Sequence, residues 1–220
     1  MGRRSARTRR LWGARTRCAC FSTDWEQARE GRGQLVLVIG EPGIGKSGLV
    51  EEFRGCKREY PHLWVEGASG QFFQSTPLHA VTQILHEGLG WHGDETPEER
   101  VAQLERGLEL VQMKLNEAVT LITELLNLPT PEKYSLLTLT PDQKRKRLLA
   151  NQTAWLLNAA RGQPVVMAME DLHWVDPSTL ELTQTLVEQA ATARLMLLYT
   201  ARPRVPCVVA DASASCADHT

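Results

Sequence analysis

Gly40-Glu41-Pro42-Gly43-Ile44-Gly45-Lys46-Ser47 fills every fixed position of the pattern G-x-x-x-x-G-K-[ST]. The apolar run Leu35–Ile39 precedes it and reads as a buried parallel strand; Leu49-Val50-Glu51-Glu52-Phe53 follows with apolar residues at helical spacing. Strand, glycine loop and helix in that order form the setting in which this pattern holds phosphate. Gly43 and Gly45 can take backbone angles closed to other residues and let the main chain approach an anion closely. The loop N–H groups then face the phosphates, aided by the positive end of the following helix. In this reading Lys46 reaches the β- and γ-phosphates and the Ser47 hydroxyl holds Mg²⁺. Gly40, Glu41, Pro42, Gly43, Ile44, Gly45, Lys46, Ser47 and Gly48 are the candidate nucleotide-binding residues. The plainer alternative is a glycine-rich turn carrying an exposed lysine.

Working outward, apolar strands alternate with helical stretches. Leu63–Gly67, Val165–Met169 and Leu195–Thr200 read as further strands, and helices are expected from Thr23, Pro77, Pro97, Pro141 and Pro177. The helix from Pro97 reads as running to Gly107 or beyond, with apolar residues recurring helically through Leu126. Such alternation predicts an α/β fold: a parallel sheet flanked by helices in three α/β/α layers, with its ligand crevice at the carboxyl ends of the strands.

A second motif falls on that same edge. Val165–Met169 is followed by Glu170-Asp171, two carboxylates at the tip of a buried strand. Paired with the phosphate loop, Glu170 is expected to orient the Mg²⁺ shell and Asp171 to place or polarise water. Taken alone, the pair would be two solvated acids at a strand end. Thr200 and Arg202 are candidates for sensing the γ-phosphate, although Arg202 could equally cap a strand end or pair with a local acid. His173 and Trp174 read as packing at the sheet edge. Lys144-Arg145-Lys146-Arg147 reads mainly as a solvated helical face, the alternative being contact with nucleotide or a neighbouring domain.

Composition sets the outer bounds. The 220 residues suit one sizeable α/β domain, and 42% hydrophobic with 23% charged residues is ordinary for a globular chain. No apolar stretch approaches the roughly 20 residues of a membrane helix. The formal charge of -1 is unevenly spread: residues 1–22 carry seven arginines and no acid, leaving 18 basic against 26 acidic residues in the rest. A body that acidic predicts no nonspecific nucleic-acid binding. Five cysteines, none in paired C-x-x-C clusters, read as free thiols in a cytoplasmic protein.

GEPGIGKS, VVMAMEDLHWVDPSTLELTQTLVEQ and ARLMLLYTARP together resemble the signal-transducing P-loop ATPases of the AAA-like/STAND group. They are most similar to the ATPase module of bacterial regulators linked to adenylate/guanylate cyclases and of large LuxR-type regulators. The resemblance covers about residues 23–203. It implies an ATP-binding, weakly hydrolysing switch with Mg²⁺ as cofactor, ATP/ADP as ligands, and protein partners or self-assembly in the full-length relatives. It places Glu170, Asp171 and Arg202 among the catalytic residues, and Ser47 and Glu170 on the metal. Relatives begin with a Val-Gly-Arg-Glu segment that helps hold the base, where this chain has Cys20-Phe21-Ser22. They also continue into a helical lid and further domains. The expected organisation is therefore a disordered or non-native basic leader over 1–22, an incomplete ATPase domain over 23–203, and a disordered tail over 204–220. An organelle transit peptide is the other reading of the leader. Two other outcomes stay open at this point: an interaction module that binds ATP or ADP without turnover, or a non-functional fragment.

Overall fold

The computed structural model describes the backbone of residues 7–10 and residues 21–72, 76–135 and 137–203. Five parallel strands, β1 (Arg7–Arg10), β2 (Gln34–Ile39), β3 (Leu63–Ala68), β4 (Val165–Glu170) and β5 (Leu195–Ala201), form one sheet in the order β1-β2-β5-β4-β3. The fold is α/β, as the alternation predicts. Odd and even residues of each strand face opposite ways, so every central strand feeds two cores.

On one face, Val36, Val38, Val166, Ala168, Met196 and Leu198 pack against α1 (Ser22–Arg29) and α2 (Lys46–Lys57) through Trp25, Val50 and Phe53. On the other, Leu37, Val65, Met167, Leu197 and Tyr199 join a larger cluster. That side carries α3 (His79–Leu89), α4 (Pro97–Leu110), α5 (Leu115–Leu125), α6 (Pro141–Gly162) and α7 (Pro177–Gln189). Each fully buried aliphatic side chain contributes about 1.5–3 kcal/mol. The two clusters together explain why β4 and β5 are apolar at nearly every position.

Helix starts follow the local chemistry. Thr96 and Thr140 each form a complete capping box, with Glu99 and Gln143 respectively, and each is followed by proline at the first helical position. Asp176 caps α7 by accepting from the N–H groups of Ser178 and Thr179.

Three details depart from the sequence reading. The apolar periodicity between Pro97 and Leu126 belongs to two helices, because Gln112 turns left-handed at φ 56° and the Met113 N–H closes the end of α4 onto the Leu108 carbonyl. Both helices bury a face in the same cluster, so periodicity alone does not reveal the break. The fold also extends below residue 23: Ser22 opens α1, Phe21 is fully buried against Phe53, and the backbone of Arg7–Arg10 pairs with Val36–Ile39. The remaining expectations for the leader, and those for 204–220, lie outside the described residues. Finally, Cys56, read above as a free thiol, is disulfide-bonded.

Candidate nucleotide site

Parallel strands deliver their carboxyl ends to one edge, and the motif residues collect there. β2 ends at Ile39, and the loop from Gly40 leads directly into α2. Gly43 and Gly45 have φ of 77° and 93°, values that cost other residues about 1–2 kcal/mol. Gly40 is needed for space instead, since a Cβ there would stand 2.9 Å from Ile44 Cγ2. Among the described residues, no carbonyl accepts from the N–H of Gly43 or Gly45. Such donors at the N-terminal end of a helix are the arrangement that suits an anion.

Lys46 is buried at the first position of α2, and its Nζ donates to the carbonyls of Gly40 at 2.9 Å and Glu41 at 3.1 Å. The ammonium thus lies folded within the loop and makes no ion pair among the described residues. The Ser47 Oγ donates to Glu170 Oε2 at 2.5 Å, joining two motifs 123 residues apart. Glu170 lies on the α2 face of β4. Burial raises its carboxyl above the usual range; the Ser47 hydrogen bond opposes this, Glu66 and Asp171 add to it, and Lys46 opposes it.

Asp171 follows in a left-handed conformation at φ 53°. Its N–H donates to the Thr200 Oγ1 at 2.9 Å, and Thr200 is buried at the end of β5. Thr200, a candidate for sensing the γ-phosphate, thus also holds the turn at Asp171. The adjacent Ala201 carbonyl accepts from the Gly40 N–H at 3.2 Å. Arg202 is exposed, with its guanidinium 5.4 Å from the Trp174 ring centre. The structure therefore joins Lys46, Ser47, Glu170 and Asp171, and places Arg202 on an indole. His173 is mostly buried 3.8 Å from Asp171 Oδ1, and burial lowers its imidazole below the ordinary value.

Glu66 escaped the sequence reading. It stands in the middle of the edge strand β3, on the same face as Glu170, and accepts from Trp64 Nε1 at 3.1 Å and Arg54 Nη1 at 3.3 Å. One acid interrupting the apolar stretch Leu63-Trp64-Val65-Glu66-Gly67 was the available signal. The basic run on α6 is a paired face: Lys144 meets Glu124, Arg145 meets Glu181 and Asp142, Lys146 meets Asp142, and Arg147 meets Glu117.

The donor set suits a nucleoside triphosphate with a hard divalent cation: glycine N–H groups and a lysine for phosphate, a hydroxyl and a carboxylate for the metal. Among the described residues no helix is long and apolar enough to cross a membrane. Comparison with known proteins agrees with the site. Residues 24–198 match the family model of the AAA ATPase domain. An uncharacterized protein of Rhizobium meliloti is 30% identical over 190 residues, covering 81% of this chain and 17% of that protein. The hybrid signal transduction histidine kinase G of Dictyostelium discoideum is 25% identical over 172 residues, 76% of this chain and 5% of that protein. The chain thus spans a small part of these relatives' length. Over residues 24–198, which hold both the loop at Gly40–Ser47 and the acid pair Glu170-Asp171, the chain belongs to the AAA ATPase domain family.

Proposed function

We propose that the chain is an ATP-binding, weakly hydrolysing switch module of a larger cytoplasmic signalling protein. The observation that carries this reading is the Ser47–Glu170 hydrogen bond of 2.5 Å, which brings the two ends of a metal-binding pair together beside Lys46. ATP would supply the scissile phosphoanhydride and Mg²⁺ the charge that offsets it. Gly40–Gly48 bind the phosphates through backbone N–H groups. Lys46, now on the Gly40 and Glu41 carbonyls, would bind phosphate oxygen, and Ser47 and Glu170 would hold the cation. Asp171 orients the attacking water through its carboxylate. The relative named as a signal transduction kinase supports a regulatory setting, with partners or self-assembly in the whole protein.

A second reading is favoured by one observation. Arg202 lies against Trp174 and not in the loop, which suits a module that binds ATP or ADP without turnover. Isothermal titration with Mg-ATP, followed by phosphate-release assays on wild type, Glu170→Gln and Asp171→Asn, separates the two. Release that disappears in both variants supports the switch ATPase, and binding without release supports the interaction module. No heat at high micromolar nucleotide overturns both.

A further inference from the structure

The opposite edge of the sheet holds a cavity of about 660 Å³, between Leu63 at the start of β3 and the C-terminal turns of α3, α4 and α6. That is within the range of small-molecule sites, roughly 300–1,000 Å³. Leu63, Val111 and the Trp155 indole supply apolar wall, and Leu110, 85% exposed, is the large apolar side chain at the rim. Three helix C-termini would ordinarily disfavour an anion. Here each is already satisfied. Gly90 and Trp91 N–H groups close α3 onto the carbonyls of Glu87 and His86, and Gln112 and Met113 close α4 onto those of Glu109 and Leu108. The Arg194 guanidinium donates to the carbonyls of Ala160, at 3.1 Å, and Arg161, setting a full positive charge on the end of α6.

Arg161 alone among the described lining residues is charged. Its guanidinium meets no acid, carbonyl or ring among the described residues, and the Asn158 side-chain amide is likewise unengaged. The contrast lies within one helix, because the four basic residues at the start of α6 are all paired with acids. An unpaired guanidinium lining the same cavity as an indole suits a planar anion with an apolar body.

We propose that this cavity binds a small aromatic carboxylate, its carboxyl on Arg161 and Asn158 and its ring against Trp155, Leu63 and Val111. The test titrates the full chain with 2-naphthoate and with its uncharged amide, 2-naphthamide, by isothermal calorimetry and saturation-transfer NMR. The carboxylate is expected to bind saturably and about tenfold more tightly than the amide. Arg161→Ala, at an exposed position, should erase that difference while its circular dichroism stays unchanged. Asn158→Trp, which fills the cavity, should remove binding of both probes; if that variant fails to fold, the Arg161 variant decides. Lys46→Ala should leave binding of both naphthyl probes as in the wild type, which distinguishes this cavity from the phosphate loop and makes the outcome independent of whether the chain turns over ATP. Equal affinity for the two probes, an Arg161→Ala variant that keeps the preference, loss of binding in Lys46→Ala, or no saturation at millimolar 2-naphthoate would each overturn the proposal.

Discussion

The two edges of the sheet are built on opposite principles. At the carboxyl edge Gly43, Gly45 and Asp171 all take positive φ, and the N–H groups of Gly43 and Gly45 meet no carbonyl among the described residues. At the amino edge the helix ends are closed by backbone hydrogen bonds or by Arg194, so recognition there must come from side chains. The first edge presents main-chain N–H donors through loop angles that favour glycine. The second is tight packing around one hollow. Glycine shows the difference: at position 45 it serves a backbone angle, whereas at position 88 it makes room, because a Cβ there would meet Trp155 Cη2 at 1.9 Å.

Four substitutions press on that contrast. Lys46→Ala should weaken Mg-ATP binding by about two orders of magnitude in calorimetry, with little change in melting temperature, since it removes a charge-assisted contact to phosphate. A stable variant with unchanged affinity would remove the carboxyl edge from nucleotide binding altogether. Gly88→Ala should do the reverse: overpacking against Trp155 destabilises by about 1–3 kcal/mol in urea unfolding, while affinity measured on the folded fraction stays the same. Thr200→Val deletes the acceptor for the Asp171 N–H and should cost about 1 kcal/mol. It should also slow phosphate release more than it weakens binding, a split readable as kcat against KM.

The smallest effect concerns Glu170. Because its carboxyl is raised, mainly by burial, the folded protein holds that proton more tightly than the unfolded chain does. Stability is therefore lost as pH rises from the ordinary carboxylate range through the folded value. Glu170→Gln should melt about 1–2 °C above wild type at neutral pH, with the gap closing toward pH 4. A gap that widened in acid would show that Glu170 is stabilised as the anion in the free protein.

Much of this edge is legible in the sequence because its chemistry is local. The glycine pattern, the apolar strand before it and the acid pair after Met169 each lie within a few residues, and so do the Thr96 and Thr140 capping boxes. What escapes reading depends on pairing between distant segments. Thr200 holding Asp171 follows from the neighbouring ends of β4 and β5, and Glu66 joins the site only because β3 lies beside β4. Gln112 is a different case: leaving the helix there breaks no periodicity, since α4 and α5 each present an apolar face to one cluster.

Two adjacent residues of β5 act as a bracket. The Ala201 carbonyl takes the Gly40 N–H, and the Thr200 hydroxyl takes the Asp171 N–H. The phosphate loop and the acid turn are therefore fastened to the same two links of chain, one through main chain and one through a side chain. Neither can shift alone without snapping its own fastening, and a pull on the strand at Ala201 loads both together. Mechanically, the two halves of the site are two arms on one pivot.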